Sequence, residues 1–183
     1  MVARKRTVSR RLTLVIVLPI THFPLLHLVI RRYWLSLISS LDPKKIYIPG
    51  RIEEYEIHGT TVVMDGSHNE QKMRAFVDGY KQLYPDHKPT VLLALKEGKE
   101  YIDVFRILRE ISDSFILTEF TTTQDMPIQS IDAEELHHYC MEIGITSSVI
   151  KDHTEALQAL LERTGPKIIT GSFYLIGQIR SEL

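Results

Sequence analysis

The chain has 183 residues, enough for one ordinary domain and a short additional segment. Apolar residues make up 44% of the sequence and charged residues 25%, which is typical of a globular protein with a full core. The formal net charge of −1 argues against nucleic acid as a partner, and the single cysteine, Cys140, excludes an internal disulfide and a cysteine-rich zinc site. A single buried thiol fits a reducing compartment, so we expect the protein in the cytoplasm.

The segment 1–45 differs in charge from the rest of the chain, and its structure is left uncertain by the sequence. Residues 1–41 contain no acidic side chain, so all 23 Asp and Glu residues follow them. The basic stretch ARKRTVSRR precedes an apolar run, which is the pattern of a signal peptide or a membrane anchor. Two prolines interrupt that run, so a buried helical piece of a larger protein, or an ill-defined start of the reading frame, also fits. We expect this segment not to span a membrane.

From residue 46 to residue 183 the pattern is that of one domain in which strands and helices alternate. Apolar or alternating runs predict strands at RIEEYEI (51–57), TTVVMDG (60–66), TVLLAL (90–95), SFILT (114–118), SSVI (147–150) and KIIT (167–170). Apolar residues at helical spacing predict helices at 73–83, 101–111, 132–143 and 154–163, and a last short helix after residue 172. The sequence therefore predicts an α/β fold, a Rossmann-like three-layer αβα sandwich with a mostly parallel sheet.

Turn and cap residues refine this prediction. His58 and Gly59 predict a tight hairpin between the first two strands, which adds an antiparallel strand to the sheet. Asp132 and Glu135 have the spacing of a capping box at a helix start, and Gly144 is typical of the left-handed residue that ends such a helix.

The most polar strand end is the turn from Asp65 to Asn69, which reads DGSHN and leads into the first helix. In open parallel sheets, ligands bind at the carboxyl ends of the strands, and a helix N-terminus attracts anions through its free N–H groups. Asp, Gly, Ser and Asn are also the residues that any strand-to-helix turn prefers, because they cap helices and tolerate unusual backbone angles. Composition alone therefore leaves two hypotheses for this turn, a ligand site and a purely structural cap.

Four segments of the domain resemble the motifs of one enzyme family, and they read PGRIE, DGSHN, ALKEGKEY and TGSFYLIG. In this order and spacing, from about Ile46 to Arg180, they are similar to the carboxyl-terminal domain of folylpolyglutamate synthase and dihydrofolate synthase. That family is a branch of the Mur ligase superfamily, and its patterns are P-G-R-[IL]-E, D-G-A-H-N-P, a lysine-containing loop after a strand, and T-G-S-L-Y-L-[VI]-G. One such motif alone would be weak, whereas four in order are specific.

The resemblance implies a role in ATP binding and catalysis for five residues. Arg51 and Asp65 would contact ATP, with Asp65 at the ribose. Asn69 would bind ATP close to its phosphates. His68 and Lys99 would be catalytic residues near the acyl-phosphate chemistry. Lys99 is matched to the family lysine, although the loop here reads EGKE where the family has D-K-D.

Two further residues, Ser67 and Ser172, would lie close to the substrate or phosphate. Ser67 stands where the family has alanine, and Glu70 stands where it has the proline that opens the helix. An acidic side chain in the first turn suits the helix dipole, so the change at Glu70 is conservative. No metal site is expected in this chain, because adjacent helical residues such as His137 and His138 diverge by about 100°.

The reaction implied by the resemblance is the ATP-dependent addition of L-glutamate to folate or dihydropteroate through an acyl phosphate. That chemistry needs a glycine-rich phosphate loop and ligands for Mg²⁺, which the family places in an amino-terminal domain and which this sequence lacks. We therefore expect the chain to be inactive alone and to need that domain as its partner. The alternative is a non-catalytic, stand-alone Rossmann-like module that binds a nucleotide or a partner chain. A peptidoglycan-precursor ligase is a third possibility, against which DGSHN and TGSFYLIG favour the folate branch.

Overall fold

The structure, a computed structural model, describes residues 4–6, 50–57, 59–122 and 127–183. The predictions for residues 1–45 lie outside these ranges, apart from a three-residue strand near the start of the chain. The strands are β1 Arg4–Arg6, β2 Glu53–Ile57, β3 Thr60–Asp65, β4 Thr90–Leu93, β5 Ser114–Leu117, β6 Thr146–Val149 and β7 Lys167–Thr170. The helices are α1 Glu70–Leu83, α2 Ile102–Leu108, α3 Ala133–Glu142, α4 His153–Glu162 and α5 Phe173–Glu182.

The described strands form one sheet in the order β1-β2-β3-β7-β4-β5-β6. Strand β2 pairs antiparallel with β1 and with β3, and the strands from β3 to β6 in this order are parallel to one another. The predicted mostly parallel sheet with an antiparallel strand is therefore confirmed. Gly59, in the predicted hairpin, has a φ of 77°, a conformation that glycine adopts without steric cost.

Hydrophobic residues on the two faces of the sheet pack against different helices, because successive side chains of a strand point to opposite faces. One buried cluster joins the sheet to α1, α2 and α3, with Val63, Phe76, Val91, Phe105 and Leu136 among its members. The other joins the sheet to α4 and α5, with Val62, Met64, Leu92, Leu157 and Ile176 among its members. The predicted three-layer αβα sandwich is confirmed.

The polar turn lies at the centre of the sheet, where two neighbouring strands continue into helices on opposite faces. Strand β3 continues into α1 on one face, and its neighbour β7 continues into α5 on the other face. Asp65 at the end of β3 pairs with Thr170 at the end of β7, and Thr170 also pairs with Leu93 of β4. Three neighbouring strands therefore end at the same edge of the sheet, between two helices that pack on opposite faces. Open parallel sheets bind ligands at such a place.

The helix boundaries follow the predicted signals with two corrections. The helix predicted at 101–111 is only the seven residues of α2, and the last helix is longer than predicted, since α5 has ten residues. Asp132 caps α3 as predicted, but its Oδ1 accepts from the N–H of Glu134, at 2.9 Å. A capping box would use the N–H of Glu135 instead. Burial and the nearby Glu135 carboxylate raise the pKa of the Tyr101 hydroxyl, so Glu135 lies beside the residue that precedes α2.

Two further features of α3 agree with the sequence, the glycine that follows its last turn and its buried cysteine. Gly144 follows the helix with a φ of 70°, as predicted for a left-handed end. Cys140 is fully buried, and this burial raises the pKa of its thiol to about 11. In the described part of the chain, every helix is too short or too polar to cross a bilayer.

Candidate functional site

The carboxylate of Asp65 is the centre of the polar turn, and only 2% of the residue is exposed. Its Oδ1 accepts from the N–H of Ser67 at 2.8 Å and from the Ser67 hydroxyl at 2.6 Å. Its Oδ2 accepts from the N–H of Ile52 at 2.9 Å, and Arg51 Nη1 lies 3.3 Å from Oδ1. A buried carboxylate is stable only with such partners, so Asp65 joins the segment before β2 to the turn after β3.

The hydroxyl of Ser67 completes this network. It lies 3.1 Å from Arg51 Nη1, which donates to it, and 3.0 Å from the carbonyl oxygen of Lys72. The residue is buried, with 1% of its surface exposed, and its carbonyl lies 3.5 Å from Thr170 Oγ1. An alanine at this position has no group that could accept from Arg51, so the serine in the DGSHN motif has a clear structural use.

The ring of Phe173, the first residue of α5, covers the backbone of two glycines. A Cβ atom on Gly50 would lie 2.4 Å from the ring, and one on Gly66 would lie 2.5 Å from it. The Arg51 guanidinium carbon lies 5.1 Å from the centre of the ring, within the range of a cation–π contact. The ring also makes an edge contact with His68, with centroids 6.0 Å apart, and 42% of Phe173 remains exposed. Phe173 thus holds the turn in place and presents an aromatic surface beside it.

Both ring nitrogens of His68 have partners. Nδ1 lies 2.8 Å from the carbonyl oxygen of Gly66, and Nε2 lies 3.1 Å from Nζ of Lys72. Burial lowers the pKa of His68 from its ordinary value, and the nearby charges of Lys72, Lys99 and Arg51 lower it further, whereas the Gly66 carbonyl raises it. The imidazole is therefore held in its neutral form near neutral pH.

Helix α1 begins inside this cluster with a neutral cap. The side chain of Asn69 accepts from the N–H of Lys72 at 3.0 Å, and the N–H groups of the first turn give the helix end a partial positive charge. The acidic residue of this turn, Glu70, is 61% exposed and pairs with Arg106 of α2 at 3.2 Å. The described turn therefore combines a helix N-terminus with the cations of Arg51, Lys72 and Lys99, an arrangement suited to an anionic ligand.

The structure brings together most of the residues that the sequence predicted. Six of the predicted residues lie around the start of α1: Arg51, Asp65, Ser67, His68, Asn69 and Lys99. Ser172 is buried and serves as the N-cap of α5, its Oγ accepting from the N–H of Tyr174 at 3.1 Å. It lies next to Phe173 in the chain, so it fixes the helix that carries that ring.

Sequence reasoning missed two residues of this cluster, Lys72 and Phe173. Lys72 follows His68 by four positions and is a cation in the first turn of a helix, where the helix dipole disfavours a positive charge. That unfavourable position was a signal in the sequence. A second signal was Phe173, which stands where the family motif has leucine. Within the residues described, His137 contacts Ser147 and His138 contacts the Glu134 carbonyl, and no group of three or more His, Cys, Asp or Glu side chains could hold a metal ion.

Two curated proteins of similar sequence are a dihydrofolate synthetase and a dihydrofolate synthase/folylpolyglutamate synthase. The chain is 26% identical over 151 residues to the dihydrofolate synthetase of Saccharomyces cerevisiae, which covers 78% of this chain and 35% of that protein. It is 28% identical over 138 residues to the dihydrofolate synthase/folylpolyglutamate synthase of Bacillus subtilis, which covers 74% of this chain and 30% of that protein. The chain thus spans about a third of the length of these curated relatives.

Solved structures of similar proteins share the fold. The folylpolyglutamate synthase of Thermotoga maritima superposes with a TM-score of 0.62 at 22% identity, over 76% of this chain and 31% of that one. The bifunctional folylpolyglutamate synthase/dihydrofolate synthase of Yersinia pestis, complexed with AMPPNP and Mn ion, superposes with a TM-score of 0.62 at 15% identity, over 76% of this chain and 32% of that one. The family model for the dihydrofolate synthetase C-terminal domain matches residues 50–182, so the chain belongs to that family.

Proposed function

We propose that this chain is the nucleotide-contacting C-terminal domain of an ATP-dependent ligase that joins L-glutamate to folate or to dihydropteroate through an acyl phosphate. The observation that carries the proposal is the start of α1, where Arg51, Lys72 and Lys99 lie beside a helix N-terminus with a neutral cap. Phosphate groups bind at such helix ends because backbone N–H groups and the dipole both favour negative charge. Family membership and the AMPPNP complex of the Yersinia pestis protein support a nucleotide as the ligand.

Arg51 is the residue best placed to contact ATP. Its guanidinium lies over Phe173 and donates to Asp65 and Ser67, so its donors are held in place, and 30% of the side chain remains exposed. Asp65 itself is buried behind it. In the proposed complex, a ribose hydroxyl reaches the Asp65 carboxylate once Arg51 has turned toward the nucleotide.

The remaining residues act through charge and position. His68, Asn69 and Lys99 would lie close to the phosphates, where fixed cations and dipoles stabilise the negative charge that develops during phosphoryl transfer. Ser67 and Ser172 hold the backbone that carries these groups. The chemistry of acyl-phosphate formation and of attack by glutamate would take place when this domain closes over ATP bound by the amino-terminal domain.

Magnesium is not assigned to this chain. We propose that Mg²⁺ and the phosphate loop belong to the amino-terminal domain of the assembled enzyme, because the family that this chain resembles places both there. Such a domain would account for the two thirds of the relatives' length that this chain does not span. The chain alone should then turn over no ATP, and the cytoplasm, where folates and ATP are available, is the proposed location.

The test supplies the missing domain. The chain is fused to the amino-terminal part of the Bacillus subtilis relative, and ADP release that depends on folate and glutamate is measured. We expect activity from the fusion and none from the chain alone. Arg51→Met should lower kcat/KM about 10- to 150-fold, the effect of losing a charge-assisted hydrogen bond.

The matched control is Lys88→Met, which removes an exposed cation before β4, on the opposite edge of the sheet. Its partner is Asp113, at 2.5 Å, and both side chains are more than two-thirds exposed, at 67% and 73%. We expect no kinetic effect. Substrate-dependent ADP release by the chain alone would contradict the proposal. Unchanged kinetics of Arg51→Met in an active fusion would favour the alternative that this domain is a module without a part in catalysis.

A further inference from the structure

The contact between His68 and Lys72 constrains the proton of the imidazole ring. An ammonium group has donors and no acceptor, so Lys72 Nζ, at 3.1 Å, must donate to an unprotonated Nε2. A carbonyl oxygen only accepts, so Nδ1, at 2.8 Å from the Gly66 oxygen, must carry the proton. The two contacts agree on a single neutral tautomer, with the proton on Nδ1.

This tautomer leaves His68 without a proton for an incoming anion. Its one N–H is used by the Gly66 carbonyl, and its lone pair is used by Lys72. Lys72 donates one of its three N–H bonds to His68 and keeps two for another acceptor. On this side of the cluster, the group that can bind a phosphate oxygen is therefore the lysine.

The position of Lys72 supports a binding role. It is the third residue of α1, in the first turn, where a cation is disfavoured by the helix dipole. Among the described residues, no carboxylate forms an ion pair with it, whereas Arg74 and Lys81 on the same helix both pair with Glu110. A cation in an unfavourable position, with no carboxylate partner in the described part of the chain, is well placed for an anionic ligand.

We propose that Lys72 is a phosphate-binding residue of this domain and that neutral His68 is the positioning residue that orients it. The inference rests on the proposed function and deepens it, because it moves the phosphate contact expected for His68 to Lys72. His68 acts as an acceptor that restricts a flexible lysine, and Lys72 supplies the charge.

The surroundings of His68 are consistent with this neutral role. Lys72 faces it from α1, Lys99 from the loop after β4 and Arg51 from the segment before β2, and all three are cations. The ring of Phe173 faces it from α5. Protonation would place a fourth positive charge in the cluster and would turn Nε2 into a donor opposite another donor.

The first experiment determines the tautomer of His68 in the full chain, by long-range ¹H–¹⁵N correlation spectra of its imidazole ring between pH 5 and pH 8. We expect protonated Nδ1 and unprotonated Nε2 near neutral pH. In Lys72→Met, the ¹⁵N shift of Nε2 should change because its hydrogen bond is lost, and the pKa of His68 should rise, whereas the Gly66 carbonyl still keeps the proton on Nδ1. Lys81→Met, at the other end of α1, should leave both unchanged. A wild-type ring protonated on Nε2, or a spectrum unchanged in Lys72→Met, would overturn the positioning role.

The second experiment titrates the full chain with inorganic tripolyphosphate and follows the amide signals of the first turn of α1. We expect saturable binding that weakens roughly two- to fivefold in Lys72→Met, as for a partly exposed charge pair, and stays the same in Lys81→Met. Equal affinities in wild type and Lys72→Met, or no saturable binding by the wild type, would overturn the binding role.

Both experiments can fail independently of the proposed function. Neither requires ATP hydrolysis, folate or the amino-terminal domain. A fusion that is active but has an Nε2-protonated His68 would retain the ligase proposal and reject the role of Lys72. An inactive fusion whose Lys72 binds tripolyphosphate would do the reverse.

Discussion

The starts of α1 and α4 are both well capped, yet they differ in charge. At α4, the Asp152 carboxylate accepts from the N–H groups of Thr154 and Glu155, both at 2.9 Å, so a negative charge already occupies the helix end. At α1, the cap is the neutral amide of Asn69, and the neighbouring His68 has three cations near it, of which Arg51 is paired with Asp65. The comparison shows that a good cap does not identify a ligand site. The difference lies in whether the attraction for an anion has already been satisfied.

The largest expected effect is on the buried side of the α1 turn. Asp65→Ala removes the acceptor of Arg51, Ser67 and Ile52, and leaves buried donors unpaired. Because Arg51 is partly exposed, we expect the free energy of unfolding to fall by about 2–4 kcal/mol, below the upper values for a broken buried pair. Asp152→Ala at α4 should lower it much less, because the Asp152 carboxylate is exposed and only caps the helix. Urea denaturation of the two variants measures the difference, and equal losses would mean that both turns are simple caps.

A second test concerns the close contact of Phe173 with the α1 turn. Gly66→Ala places a Cβ atom 2.5 Å from that ring, so we expect a loss of about 1–3 kcal/mol from overpacking. Gly177→Ala in α5 is the matched control, since a Cβ there meets nothing within 4 Å and should stabilise the helix by about 0.5–1 kcal/mol.

A double variant shows whether the ring is the cause. Phe173→Ala combined with Gly66→Ala should recover most of the loss, because the clash is removed with the ring. Thermal denaturation of the single and double variants gives the coupling energy. Additive losses would show that the turn is strained for another reason.

A third prediction separates capping from anion binding. Asn69→Ala should destabilise the protein by about 1 kcal/mol through the loss of a cap, and Asp152→Ala should also destabilise it for the same reason. Tripolyphosphate should raise the melting temperature of the wild type and of Asp152→Ala to the same extent, since the ligand binds at α1. The rise should be smaller in Asn69→Ala, where the first turn is less ordered. A reduced rise in Asp152→Ala instead would place the anion at α4.

The smallest effects are in the pH dependence of stability, and they fall in different windows for the two turns. Burial, with the neighbouring cations, lowers the pKa of His68 below 6.5, and hydrogen bonds from backbone N–H groups lower the pKa of Asp152 below 3.8. In both cases the unfolded chain binds the proton more readily, so stability falls as the pH drops below the ordinary value of the group. Urea midpoints of His68→Gln and wild type should therefore converge as the pH falls below 6.5. Those of Asp152→Asn and wild type should converge only below about pH 4. If the urea midpoints of His68→Gln and wild type converged only below about pH 4, the neutral state of His68 near neutral pH would be contradicted.

Much of this site was predictable from local pattern. Asp65, Gly66 and Asn69 follow an apolar strand and precede an apolar helical stripe, so their place at a strand-to-helix turn required no tertiary knowledge. Their charge environment was not predictable, because Arg51, Lys99 and Phe173 reach the turn from three other segments. The effect of Asp65→Asn was not predictable either, because both carboxylate oxygens accept from backbone N–H groups and an amide nitrogen in place of either oxygen would face a donor.

The sequence by itself determined the alternation of strands and helices, the family motifs and the glycines at turns, because these depend on periodicity and on backbone conformation within a few residues. Only the tertiary structure decided which polar groups satisfy one another. It placed β7 between β3 and β4, which brought Thr170 level with Asp65 and the ring of Phe173 onto Gly66. Residues a hundred positions apart in the chain meet there, and no local propensity specifies such a meeting. Whether a capped turn also carries free positive charge depends on those distant partners.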